Sequence, residues 1–208
     1  MSKEIKFIFF DVGGVIIFDF SKTNKWQEMM SDIGINKTNK KPFEDLFKKY
    51  EPEICRGRKI DTFVEVVKSE LGLEFKEGYS MLDDFADRFE VNTSIHPILN
   101  ELSKKYKIGL LTNMYPGMLE AIKKKGILPQ VKWDVILDSS IVGFKKPQEE
   151  IYGIAENKSN TDPEKILLVE NERVNINVAK KRGWQILLYN PSNPLTSNNK
   201  LRELLNIK

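Results

Sequence analysis

Residues 5–18 read IKFIFFDVGGVIIF, an apolar run that stops on one acid, Asp11, with Gly13 and Gly14 close behind it. Ile5, Phe7, Ile8, Phe9 and Phe10 follow without polar alternation, the pattern of a parallel strand covered on both faces. In open α/β sheets the ligand crevice lies just beyond the carboxyl ends of the strands, so a carboxylate placed there is a site candidate before any chemistry is considered. The glycines permit a tight turn and a close backbone approach, with N–H groups free to meet an anion. The same residues also read as a strand followed by an ordinary Asp-capped turn, so the site needs support from elsewhere in the chain.

Outward from this stretch the pattern changes twice. Between Asp19 and about Asn92 there are only helix-period segments, at Ser21 to Ile33, Pro42 to Tyr50, Asp61 to Leu71 and Lys76 to Phe89, broken at Gly34, Gly57, Gly72 and Gly78. From Ser94 strands and helices alternate. A helix over His96 to Tyr106, capped by Ser94, leads to a strand from Lys107 that ends at Thr112-Asn113. A helix over Met118 to Lys125 precedes the strand Trp133 to Leu137, then a loop over Asp138 to Lys146 and a helix from Pro147. A strand from Lys165 ends at Glu170-Asn171, and a helix over Val174 to Arg182 and a strand over Trp184 to Tyr189 follow. Such alternation indicates a parallel sheet with right-handed crossovers. The expected fold is therefore α/β, a Rossmann-like parallel sheet sandwiched by helices. Residues 1–18 and 93–208 form its core, and residues 19–92 make a small α-helical cap above the strand ends, a natural lid.

The bulk numbers narrow the function. Among 208 residues, 33 basic and 30 acidic side chains leave a net charge of +3, too mild to argue for nucleic acid. The lysine clusters fall at helix ends, where cations suit the macrodipole. A single cysteine, Cys55, fits a reducing compartment. The apolar run at the start is interrupted by Asp11 and too short to span a bilayer, so the expectation is a cytoplasmic protein with no membrane partner.

Four polar positions fall at strand ends or in the loops after them: Asp11, Thr112, Lys146 and Glu170. This set suits phosphoryl transfer. A carboxylate can attack phosphorus, oxygen ligands suit Mg²⁺, and lysine and hydroxyl groups neutralise phosphoryl oxygens. In order and spacing the sequence resembles the haloacid dehalogenase-like hydrolase superfamily, in its phosphatase-rich branch with a helical cap after the first motif. Asp11-Val-Gly-Gly-Val matches the first motif, Leu110-Leu-Thr112-Asn113 the second, Gly143-Phe-Lys-Lys146-Pro147 the third and Val169-Glu170-Asn171 the fourth. The resemblance implies Asp11 as nucleophile and metal ligand, and Thr112 and Lys146 on the phosphoryl group together with Val12, Gly13 and Asn113. It implies Mg²⁺ held by Asp11, the Gly13 carbonyl, Glu170 and Asn171, and a small phosphorylated metabolite as substrate.

Two positions depart from the family pattern. Gly13 stands where most of its phosphatases carry an Asp that protonates the leaving alkoxide, and Asn171 stands where a second acid is usual. Asp19, His96, Cys55 and Asp61 are the candidates for a substitute proton donor, although Asp19 and Asp61 also read as helix caps. Two rival readings follow: a catalytically weak or inactive relative that keeps the phosphate cradle, and a metal-independent dehalogenase. A phospho-accepting receiver would need its acid pair first and its lysine last, the reverse of the order here. If Asn171 faces the metal, Asn171→Asp should tighten Mg²⁺ binding, measured by calorimetry; unchanged affinity would remove Asn171 from the ligand set.

Overall fold

The computed structural model describes residues 4–20 and 23–207. Its centre is a five-stranded sheet of β1 (Phe7–Phe10), β4 (Lys107–Thr112), β5 (Val135–Asp138), β6 (Ile166–Glu170) and β7 (Gln185–Leu188), in the order β5-β4-β1-β6-β7 with every pairing parallel. β1 lies in the middle because both its faces are apolar. Ile8 and Phe10 point into one core with Ile108, Leu110, Leu167 and Val169, and Phe7 and Phe9 into a second with Leu111, Leu168, Tyr152 and Trp184. The α/β sheet expected from the sequence is the one observed.

The helices are α1 (Asn24–Asp32), α2 (Lys40–Ile54), α3 (Asp61–Leu71), α4 (Met81–Arg88), α5 (His96–Lys105), α6 (Met118–Lys124), α7 (Ser139–Val142), α8 (Glu149–Ser159), α9 (Arg173–Lys181) and α10 (Pro194–Leu205). Several differ from the sequence reading. The expected start at Ser21 lies outside the described residues. Helix α2 runs on to Ile54 through Pro52, which sits in the last turn. Helix α4 begins at Met81 rather than Lys76, because Ser80 caps it and Gly78 bends the chain at φ +73°. Ser94 caps nothing. It lies in a 3₁₀ turn, Thr93–Ile95, and its hydroxyl donates to Asn92 Oδ1 at 2.6 Å. The expected loop 138–146 holds the single turn α7, capped by Asp138, whose Oδ1 accepts from the Ser140 amide at 2.8 Å.

Two features went unread. A short antiparallel ribbon pairs β2 (Ile17–Phe18) with β3 (Glu90–Val91) in the register Ile17↔Val91 and Phe18↔Glu90. Helices α1–α4 all lie between its two strands. Helix α10, whose Thr-Ser-Asn-Asn run argues against helix by propensity, is secured instead by tertiary contacts. A closed ring of hydrogen bonds, buried except at Ser94, runs from Asn92 Nδ2 to Tyr189 Oη (2.9 Å), Tyr189 to Asn198 Oδ1 (3.0 Å), Asn198 Nδ2 to Ser94 Oγ (2.9 Å) and back to Asn92. It ties α10 to the chain just after the ribbon.

The crowded face of the sheet has one required gap. Phe9 is level with Gly109 on β4, and a methyl group added there would stand 2.6 Å from the Val135 carbonyl oxygen, 2.9 Å from the Phe9 ring and 3.0 Å from the Phe7 ring. Gly109→Ala should therefore retain the fold but lose about 1–3 kcal/mol of stability, read by urea denaturation. A loss below ~0.5 kcal/mol would show that the strands can part at this point.

Candidate active site

Parallel strands end on one edge, and register decides which residues meet there. Phe10 is level with Leu110 and with Val169, so Asp11 leaves the sheet beside Glu170 and one step short of Thr112. The chain turns at once: the amides of Ile16 and Ile17 return to the Val12 carbonyl (2.9 and 3.0 Å), and the Gly14 amide to that of Ile17 (2.7 Å). Gly14 adopts φ +82°, and a Cβ there would lie 2.5 Å from the Asn171 side chain. The glycine thus serves both the turn and the seat of Asn171.

Lys146 joins the ends. Its ammonium, 1% exposed, lies 3.0 Å from Asp11 Oδ1 and 2.5 Å from Glu170 Oε2. Glu170 is fully buried, and its other oxygen accepts from the amides of Asn171 (3.0 Å) and Glu172 (2.9 Å) at the entrance to α9. Asn113 holds the lysine in place: its Nδ2 donates to the Lys146 carbonyl (2.9 Å), while the Lys146 amide donates to its Oδ1 (2.7 Å). Asn113, expected on the substrate, therefore acts through its side chain as a clamp between two loops. Val12, also expected there, turns its side chain into the core and donates its amide to Asp11 Oδ1 at 2.8 Å.

Two carboxylates and one ammonium leave this buried cluster one positive charge short. Burial first, and then the Glu170 charge, push the Asp11 carboxyl up to about 7, against the pull of Lys146. Burial also opposes ionisation of Glu170, but Lys146 and the backbone amides more than offset it and hold that carboxyl below its ordinary value. A proton taken up by the pair is therefore favoured on Asp11 over Glu170.

Two further observations bear on what the cluster could accept. Thr112 Oγ1 is buried and has no hydrogen-bond partner, a costly state unless a ligand supplies one. One end of the Asn171 amide lies 3.0 Å from the Gly13 carbonyl oxygen and 3.1 Å from Glu170 Oε1. With nitrogen there it donates to both. With oxygen there, three oxygens face one another, an arrangement a hard divalent cation stabilises. Among the described residues no cluster of three or more His, Cys, Asp or Glu side chains is placed to hold a metal, so such an ion would rest on Asp11 and Glu170 completed by these neutral oxygens. The residues fit Mg²⁺.

Of the candidate proton donors, Asp19 and Cys55 line a cavity of about 290 Å³ that also reaches Gly13 and Asn113. Asp61 accepts from the Leu82 amide at 3.1 Å and so secures the start of α4. His96 is the second residue after Ser94, and burial lowers its pKa. A methyl group added at Gly13 would meet nothing within 4 Å. Sequence reasoning missed Lys145, whose ammonium lies 2.7 Å from Glu51 Oε2 on α2; its only signal was adjacency to Lys146.

A family model for haloacid dehalogenase-like hydrolases matches residues 5–183. The chain belongs to this family. No curated protein is similar to this haloacid dehalogenase-like hydrolase in sequence. Among solved structures it is similar to a predicted HAD-like hydrolase from Porphyromonas gingivalis, with a TM-score of 0.77 at 19% identity over 99% of this chain and 100% of that one. It is also similar to a HAD family enzyme from Bacteroides thetaiotaomicron in complex with magnesium and inorganic phosphate, with a TM-score of 0.73 at 18% identity over 90% and 95% of the two chains. A third is the L-2-haloacid dehalogenase of Xanthobacter autotrophicus with chloropropionic acid covalently bound, with a TM-score of 0.64 at 18% identity over 97% and 83%. At these identities the likeness is one of fold.

The protonation of Asp11 has a thermodynamic signature. The unfolded chain releases this proton near pH 3.8 and the folded one near 7, so between those values the native state binds more protons and stability falls as pH rises. In EDTA, unfolding free energy should drop between pH 5 and 8 by roughly 1–3 kcal/mol more in the wild type than in Asp11→Asn. Parallel curves for the two proteins, measured by urea unfolding, would show that Asp11 is already ionised at pH 5.

Proposed function

We propose that this chain is a Mg²⁺-dependent phosphatase of small phosphorylated metabolites, working through an aspartyl-phosphate at Asp11. The observation that carries the proposal is the buried junction of Asp11, Lys146 and Glu170 beside an unpartnered Thr112 hydroxyl. Asp11, the Gly13 carbonyl, Glu170 and Asn171 would hold Mg²⁺, which supplies the missing positive charge and neutralises phosphoryl oxygens. The match between this fold and an enzyme solved with magnesium and inorganic phosphate supports that reading.

The remaining steps belong to the protein's own residues. The Lys146 ammonium and the Thr112 hydroxyl donate to the phosphoryl oxygens and align phosphorus with Asp11. Once Asp11 has released its proton to solvent, a loss that the charge of a bound Mg²⁺ would favour, its carboxylate attacks, and the ester P–O bond breaks with its electron pair passing to the leaving oxygen. Water then attacks the phosphorus of the aspartyl-phosphate and returns the carboxylate. Helices α1–α4 act as a lid over the substrate, held down by the Lys145–Glu51 ion pair. No helix among the described residues is long and apolar enough to cross a membrane, and the function proposed calls for neither membrane nor nucleic acid.

Gly13 supplies no proton to the leaving oxygen. General acid–base catalysis typically contributes about 10²–10⁴ in rate, so turnover should favour aryl and acyl phosphates over simple alkyl phosphates by a factor in that range. The open space at Gly13 admits a carboxylate, and Gly13→Asp should raise alkyl phosphate turnover about tenfold or more. Phosphate release across a substrate panel with Mg²⁺, abolished in Asp11→Asn, is the measurement. The second reading, a relative that binds phosphate without hydrolysing it, also draws on Gly13; binding without turnover in the wild type would favour it. Halide release without added metal would favour the dehalogenase.

A further inference from the structure

The cavity that adjoins Gly13 has an unusual wall. It opens between α1, α2 and α4 on one side and the loops after β1 and β4 on the other. Six of its lining residues are aromatic: Phe20, Trp26, Phe47, Phe85, Phe89 and Tyr115. Phe20 and Phe85 are buried and meet edge to face, with ring centroids 5.1 Å apart. Trp26, Phe47, Phe89 and Tyr115 keep part of their surface uncovered, although each packs onto the buried rings or one another at 5.2–6.2 Å.

The charges in the wall are spoken for. No Lys, Arg or His is among the described residues that line it. Glu51 has both oxygens engaged, one by Lys145 Nζ at 2.7 Å and one by Cys55 Sγ at 3.0 Å, and Asp19 too has a partner. A second anionic group on a substrate would find no cation here, and a cationic one no free carboxylate. At about 290 Å³ the space lies at the low end for small-molecule sites, enough for one ring.

We infer that this cavity is a leaving-group site for a single uncharged aromatic ring, making aryl phosphate monoesters the preferred substrates. This rests on the hydrolase reading and narrows it, since acyl phosphates leave as readily but need not bring a ring. The chemistry agrees with the binding surface. When Asp11 attacks, the electron pair of the P–O bond passes to a phenolic oxygen, which departs as phenolate and takes its proton from solvent. No side chain at position 13 is required. The rings of the wall offer the departing group offset and edge-on contacts.

The test separates binding from turnover. Phenylphosphonate, methylphosphonate, 2-aminoethylphosphonate and phosphonoacetate, which cannot be hydrolysed as esters, are titrated into the full chain with Mg²⁺ by calorimetry. Phenylphosphonate should bind roughly tenfold or more tighter than methylphosphonate, with the two charged probes no tighter than methylphosphonate. Phe89→Leu and, from the opposite wall, Tyr115→Leu should each reduce the phenyl preference and leave methylphosphonate affinity unchanged. Equal affinity for phenyl and methyl probes, or preference for a charged one, overturns the inference even if esters are hydrolysed. A phenyl preference with no turnover of any ester would support the ring site and overturn the hydrolase instead.

Discussion

A lysine ammonium shared between two buried carboxylates is the constraint on which this structure turns. Lys146 arrives from a loop, Asp11 and Glu170 from adjacent strand ends, and none of the three is stable in the interior alone. Breaking such a buried set by removing one partner typically costs about 3–5 kcal/mol, because an uncompensated charge remains. The set therefore ties the loop that carries Lys146 to the edge of the sheet. Its charge is unbalanced, however. Burial and the shortage of one positive charge together hold the Asp11 carboxyl well above its ordinary value, and a divalent cation would supply the charge that is missing.

The surroundings serve that junction. Asn113 spends its whole amide on the Lys146 backbone, the amides of Asn171 and Glu172 just ahead of α9 reach Glu170, and Gly14 leaves room for Asn171. A hydroxyl without a partner, Thr112, is tolerated in the same neighbourhood. Rigid, well-satisfied groups around one unsatisfied one are what a site prepared for an oxyanion requires. The ring through Asn92, Tyr189, Asn198 and Ser94 does comparable work at the far end of the inserted helices, where it anchors the chain's return to the sheet.

The absence of a side chain at Gly13 and the aromatic cavity beside it bear on each other. A site without a proton donor is confined to substrates whose leaving oxygen is stable as an anion. A cavity walled with rings and lacking free charge selects for apolar, planar groups. One residue limits the chemistry and a dozen shape the recognition, and both point toward the same class of molecule.

Much of this was legible in the chain. The unbroken apolar run before Asp11, the alternation after Ser94, the acids at strand ends and the lysine in a loop beyond one follow from local rules of periodicity and turn chemistry, which act over a few residues. Those rules misplaced the start of α4 and the role of Ser94, where a nearby hydrogen bond outweighed propensity. They were silent on α10, whose Thr-Ser-Asn-Asn run is held in a helix by contacts remote in sequence, Asn198 with Tyr189 and Ser94, and Leu201 and Leu205 in the core. The clamp by Asn113, the unpartnered Thr112, the Lys145–Glu51 pair and the ring-lined cavity were beyond them altogether. Each joins residues remote in sequence, and which partner a buried polar group finds is settled by strand register and helix packing. The sequence alone determined which groups are available for chemistry; the tertiary structure decided which of them share a proton, which hold one another in place and which are left for a ligand.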